Sequence, residues 1–201
     1  MQKELDYTAT LTSDAFLYYE LKQIVKLKKQ GLSDADIRKK VLEENIFQYK
    51  SKKSASRLLS SVMKRVRILD DYLINTIINE PMEVGRIVNL YTIMKTNKLF
   101  FEFMNEVIRE KLQYNYEVLE RKDINIFFTA KAEQSEIVAH WSEVTNRKLK
   151  QVILKILTEV GMLENIKTCK LSRLIIPPEL KEHLIGLGDK MYIQAMGEYT
   201  E

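Results

Sequence analysis

The stretch that most restricts how this chain can fold is residues 45–69, NIFQYKSKKSASRLLSSVMKRVRIL, which carries seven basic residues and no acid. Glu44 is the last acid before it and Asp70 the first after it. Laid on a helix from Lys52 onward, Leu58, Leu59, Val62, Val66 and Leu69 fall within an arc of about 100°, the stripe that a helix docked on a core requires. Lys53, Arg57, Lys64 and Arg67 fall on the opposite arc, within about 80° of one another. A solvent face with cations and no acids repels itself unless something anionic lies against it, most simply a phosphate backbone. The plainer alternative is a face kept basic for solubility alone.

The surroundings weigh against that alternative. Residues 22–67 hold fourteen basic residues against four acids, Asp34, Asp36, Glu43 and Glu44, a local net of +10. The whole chain is only +4, so the rest of it is net acidic. Charge segregated this way is the footprint of a surface that binds nucleic acid or another polyanion.

With 201 residues, 45% apolar and 30% charged, the chain has the make-up of a soluble globular protein of one large domain or two small ones. No run of about 18 uncharged apolar residues exists, since the most apolar segment, 99–107, is broken by Glu102 and Glu106. The first residues, MQKELDYTAT, contain no apolar signal core, and the single Cys169 cannot form an intramolecular disulfide. Together these predict a cytoplasmic protein without a membrane span. Only six Gly and three Pro interrupt a sequence rich in Leu, Ile, Lys and Glu, which predicts a mostly α fold.

Along the chain, Thr12-Ser13-Asp14 offers a cap for a first helix that ends at Gly31, and Ser33 caps a second over DADIRKKVLEENIF. With the basic helix these form a three-helix unit of helix-turn-helix layout. Further helices are expected at about 72–78, 83–95 and 98–119, the last being the apolar spine of the fold. Glu102, Glu106 and Glu110 recur every four residues along it and read as a solvated face, not a metal site. Residues 123–128 read as a turn or short extended piece, with 129–131 entering another helix. A short helix at 135–141, a turn at 142–145, a long helix at 146–160 ended by Gly161 and a small β-hairpin before Pro177 make a winged-helix layout. The long helix opens with Thr145, Asn146, Arg147, Lys148 and Lys150, groups suited to a phosphate or a base edge. These breaks mark three segments, 1–71, 72–132 and 133–201, within what is expected to be one compact protein.

The order and spacing of LKxxGLSDADIRKKVLEENIF, the Ser-rich basic helix, LFFEFMNEVIREKL and a tryptophan followed by KLKQVILKILTEVGML and PPEL resembles the BrxA family of BREX phage-resistance systems over nearly the whole chain. The resemblance implies an all-helical fold similar to the antitermination factor NusB, DNA binding, and a supporting role in phage exclusion beside larger enzymes. The family has also carried an "inner membrane protein" label, with which the lack of an apolar span disagrees.

Catalysis finds little support. His140 and His183 are the only histidines and Cys169 the only cysteine, so neither a zinc site of the usual kind nor a Cys-His pair is encoded as a motif. His140, beside Trp141, fits a packed or capping role better than that of a base. There is no GxxxxGK[ST] loop, and Gly186-Leu187-Gly188 lacks a third glycine and a preceding strand. No enzyme activity, cofactor or small-molecule substrate is expected. Double-stranded DNA is the expected partner, held through Lys50, Lys52, Lys53, Arg57, Lys64 and Arg67 and through the 145–150 turn, with other BREX proteins as further partners. Two alternatives stand beside it. One is RNA, against which the patch offers only the ring of Tyr49 for stacking; the other is an acidic protein docked on the basic face.

Overall fold

The structure is a computed structural model, and it describes residues 5–198. The chain divides into two compact units, residues 16–92 and the residues before 16 together with those after 92. This grouping follows packing, not the consecutive segments 1–71, 72–132 and 133–201.

In the 16–92 unit, α1 (Tyr18–Lys29), α2 (Asp34–Glu43), α3 (Lys52–Val66) and α4 (Asp71–Asn79) follow one another, and α3 packs against both α1 and α2. Leu58, Leu59, Val62 and Val66 of α3 are buried, as the apolar stripe demands, with Leu21, Ile24, Val25, Ile37 and Val41 from the neighbouring helices. The turn between α1 and α2 forms because Gly31 takes φ +84, where a side chain would be strained, letting the Leu32 amide donate to the Leu27 carbonyl. Ser33 then closes a capping box with Asp36.

The expected cap at Thr12-Ser13-Asp14 is not used. Thr10–Thr12 is a short 3-10 turn, and α1 starts only after Leu17, whose backbone is left-handed at φ +50. The Phe16 carbonyl just before this kink accepts from Arg65 Nη1 at 2.7 Å and from Asn89 Nδ2 at 2.6 Å, both buried. Long-range hydrogen bonds, not a local cap, thus set where α1 begins. Gly85 in α5 (Met82–Thr96) is the point where the Tyr18 hydroxyl comes in, since a Cβ there would collide with it.

In the other unit the spine is continuous over 98–113 as α6 (Lys98–Phe103), a π-helical turn (Met104–Ile108) and α7 (Arg109–Gln113). It ends short of the expected residue 119, and the chain then runs to α8 (Arg121–Gln134). Residues 123–128, read from sequence as turn or extended, are therefore helical. The Glu120 amide donates to Asp123 Oδ2 at 2.7 Å, which anchors the first turn of α8. Two carboxylates of the spine, expected to be solvated, are partnered by α8: Lys131 Nζ lies 2.9 Å from Glu102 Oε2 and 2.6 Å from Glu106 Oε1, and its side chain is only 4% exposed. The Tyr7 hydroxyl adds a 2.7 Å bond to Glu102.

A short α9 (Glu136–Ala139) and the long α10 (Glu143–Val160) follow, the latter capped by Ser142 and ended by Gly161 at φ +92. The expected β-hairpin is not formed as strands. Among the described residues the segment carries isolated antiparallel bridges only, Leu163 with Leu171 and Lys170 with Val118. α11 (Pro178–Gly186) and α12 (Lys190–Ala195) are the last helices among the described residues. The fold is thus mostly helical, and no described helix is long and apolar enough to cross a membrane.

Candidate nucleic-acid interface

The residues singled out from sequence form two groups, one in each unit. In the first, Lys52, Lys53, Arg57 and Lys64 of α3 are exposed, as are Lys50 just before it and Arg67 at its carboxy-terminal cap. Lys50, Lys52, Lys53, Arg57 and Lys64 make no ion pair or hydrogen bond among the described residues. Lys53, Arg57 and Lys64 share one face over about 16 Å of helix axis, the reach of some five base-pair steps.

Local physics makes this arrangement unfavourable without a partner. α3 has no acid in its first turn, and Lys52 and Lys53 sit where the backbone amides already place partial positive charge. Ser51 caps only one of those amides, accepting from Ser54 N at 3.4 Å. A stability-optimised helix would carry Asp or Glu there. An anion laid along this end relieves both the side-chain repulsion and the dipole.

Arg67 behaves differently from the rest: it lies 3.7 Å from Asp34 Oδ2, and Lys28 also pairs with that carboxylate. Hydrogen bonding from Lys28, reinforced by Arg67, holds the Asp34 carboxyl below its ordinary value. Asp34 is thus an acid set at the edge of the basic face, and it draws Arg67 partly away from an outside ligand. Arg65, the remaining basic residue of α3, is buried and spends its charge on the Phe16 carbonyl.

Arg38 of α2 was missed by the sequence. It is exposed, donates to Ser56 Oγ of α3 at 3.1 Å, and lines a shallow groove together with Lys64 and Arg67. Its place on the basic face comes from the packing of α2 on α3, which no spacing within either helix reveals. Tyr49, the ring closest in sequence to the patch, is half-buried and engaged within the fold. Its hydroxyl donates to Glu20 Oε1 at 2.7 Å, its ring meets Phe47 edge-on, and burial together with Glu20 pushes its hydroxyl up to about 12.

The second group is dispersed. Thr145 is taken up by the cap of α10, where Ser142 Oγ accepts from its amide at 3.2 Å and lies 3.0 Å from its hydroxyl. Asn146, Arg147 and Lys150 turn into a groove between α10 and α8, while Lys148 is exposed outside it. Lys150 donates to Asn125 Oδ1 at 2.8 Å and lies over the Phe128 ring. Asn146, Arg147 and Lys150 thus line one concave wall, and Thr145 and Lys148 lie outside it.

Burial raises the Cys169 thiol, which disfavours the thiolate, and His140 is exposed with Nδ1 2.6 Å from the Glu136 carbonyl. Among the described residues no cluster of three or more His, Cys, Asp or Glu is arranged to hold a metal ion.

The BrxA family model matches residues 5–187 of the chain. A BREX protein BrxA from Bacillus cereus (strain H3081.97) is 41% identical over 197 residues, covering 98% of both chains. The chain belongs to the BrxA family. A more distant BrxA, from Paramagnetospirillum magneticum (strain ATCC 700264 / AMB-1), is 22% identical over 94% of this chain and 96% of its own. The BrxA fold seen here also matches the crystal structure of an uncharacterized protein from Magnetospirillum magneticum, with TM-score 0.81 and 21% identity over 94% of this chain and 97% of that one.

Proposed function

We propose that this BrxA protein is a non-enzymatic, cytoplasmic double-stranded DNA-binding component of a BREX anti-phage defence system, acting beside other BREX proteins and gripping phosphates through the exposed face of α3. Its curated relatives carry the name BREX protein BrxA, which supports the system. The observation that carries the DNA assignment is the row of exposed cations on α3, unpaired among the described residues and crowded toward a helix amino terminus. The side chains on that face are Lys, Arg and Ser, which hold phosphates better than they discriminate bases, so sequence preference is weak. The fold is taken as NusB-like, and the order α9, turn, α10 and bridged loop as a variant of the winged helix. RNA is disfavoured because the rings near the patch are engaged internally.

Fluorescence anisotropy against duplex DNA, single-stranded DNA and structured RNA over a salt series tests this. Duplex DNA is expected to bind tightest, with log K falling against log salt at a slope of about −4 to −5, the release expected for about five neutralised phosphates. Absence of nucleic-acid binding at low salt would reassign the face to an acidic protein partner, and tighter binding to RNA would overturn the duplex assignment.

A further inference from the structure

The groove between α8, α10 and the loop 166–169 has a volume of about 880 Å³, within the range of roughly 300–1,000 Å³ of small-ligand pockets. Four cations line it, Arg121, Arg147, Lys150 and Lys167, against two acids, Glu120 and Glu143. The side chains of Arg121, Arg147 and Lys167 make no ion pair or hydrogen bond among the described residues, whereas that of Lys150 is held by Asn125. Two guanidinium groups and one ammonium are therefore available to an anion, and guanidinium forks suit phosphate oxygens.

The same groove has an apolar wall. Ile124 is buried and Leu154 half-buried, and Ile166 stands 49% exposed at the rim. Inorganic phosphate would leave that wall in contact with water, so the occupant that covers both parts carries a phosphate and a flat, largely apolar body. Asn146 adds a third requirement. Its Nδ2 donates to the Trp141 carbonyl at 3.4 Å, while its Oδ1 is buried without a donor. A buried acceptor left unpaired is costly, and a ligand N–H would satisfy it.

We propose that this groove is a nucleotide site: phosphate on Arg147 and Arg121, base against Ile124 and Leu154, and a base amino group donating to Asn146 Oδ1. The site shares no residue with the basic face of α3, so it stands or falls independently of duplex binding. Its design does not use a glycine-rich phosphate loop, which explains why no nucleotide motif is visible in the sequence. The nucleotide is either free or one unpaired residue of a strand, and both present the same chemistry.

Isothermal titration calorimetry on the full chain with dAMP, dTMP, deoxyadenosine and inorganic phosphate tests the site. dAMP is expected to bind at least about tenfold tighter than phosphate or deoxyadenosine, because each of those fills half the groove, and tighter than dTMP, whose one base N–H lies in the ring between two carbonyls and not on an exocyclic amino group. Arg147→Glu is expected to weaken dAMP binding by about tenfold or more, and Lys167→Glu, on an exposed loop position, to weaken it with unchanged circular dichroism. Lys53→Glu/Arg57→Glu/Lys64→Glu is expected to leave it unchanged. A duplex with one unpaired adenine, compared with its fully paired counterpart, separates the sources. Tighter binding of the unpaired duplex than of its fully paired counterpart, lost in Arg147→Glu, assigns the site to a strand, and equal binding of the two duplexes beside tight dAMP binding assigns it to a free nucleotide. If neither dAMP nor the unpaired adenine binds better than inorganic phosphate, or if dAMP binding is lost in the α3 variant and kept in Arg147→Glu and Lys167→Glu, the proposal is overturned.

Discussion

On the proposed duplex-binding role, replacing Lys53, Arg57 and Lys64 together with Glu is expected to lower duplex-DNA affinity by at least about 500-fold at 0.1 M salt and to flatten the salt dependence from a slope of about −4.5 to about −2. The magnitude follows from counterion release. Each neutralised phosphate contributes about 0.9 to the slope, so at 0.1 M each of the three contacts is worth roughly eightfold, before any repulsion from the new carboxylates. None of the three side chains makes an ion pair or hydrogen bond among the described residues, so the helical circular dichroism is expected to be unchanged. Anisotropy at three salt concentrations measures both quantities at once. Wild-type affinity in this variant would remove α3 from the interface. Reversing Arg67 alone is expected to matter less, because Asp34 already competes for it.

The second large effect is on stability. Lys131→Met is expected to destabilise the protein by about 3 kcal/mol, because it strips the ammonium from two carboxylates that the fold has gathered around it. The value sits at the lower end for a broken buried pair since Glu106 is 47% exposed and can recover hydration, whereas Glu102 is 19% exposed. For a chain of this size that corresponds to a melting temperature lower by roughly 6–12 °C. An unchanged melting temperature would show that the network contributes nothing. Burial pulls the Lys131 ammonium down, and the bonds to Glu106 and Glu102 outweigh it, so its value ends above the ordinary lysine value. Its stabilising contribution is therefore complete at neutral pH, being fully present below the unfolded-state value, and fades only as pH rises through the higher folded-state one.

The readable parts of this protein were those governed by neighbours in sequence. The stripe and cationic face of α3, the glycine turns at Gly31 and Gly161 and the cap at Ser33 all depend on spacings of three or four residues. The misreadings involve residues distant in sequence or a local cap that the residue types around it masked. Leu17 breaks the start of α1 because Arg65 and Asn89 claim the Phe16 carbonyl from far along the chain. Residues 123–128, DINIFF, have the β-branched and aromatic content of a strand, and only the Glu120–Asp123 link and the packing of Phe127 and Phe128 make them helical. Missing that helix also hid Lys131 as a partner, so Glu102 and Glu106 looked solvated. On the candidate interface, Arg38 joins α3 through packing; in the groove, Arg121 and Lys167 reach Arg147 from separate elements. In the segment after Gly161, single bridges replace strands, and Ile175 remains 90% exposed instead of covering a wing.

The π-helical turn at Met104–Ile108 accounts for a regularity that an ordinary helix cannot sustain. Buried Phe100, Met104, Ile108 and Leu112 are spaced by four, and in an α-helix that spacing drifts about 40° at each step until the last of them has left the core. One additional residue in the middle turn absorbs the drift, so both halves keep the same side inward. The spine consequently holds one residue in reserve. Loss of a single residue between 104 and 108 would convert it to a regular helix with Leu99, Phe100, Phe103 and Leu112 still facing the interior. Within this buried segment, chain length can therefore shorten by one residue without the fold changing.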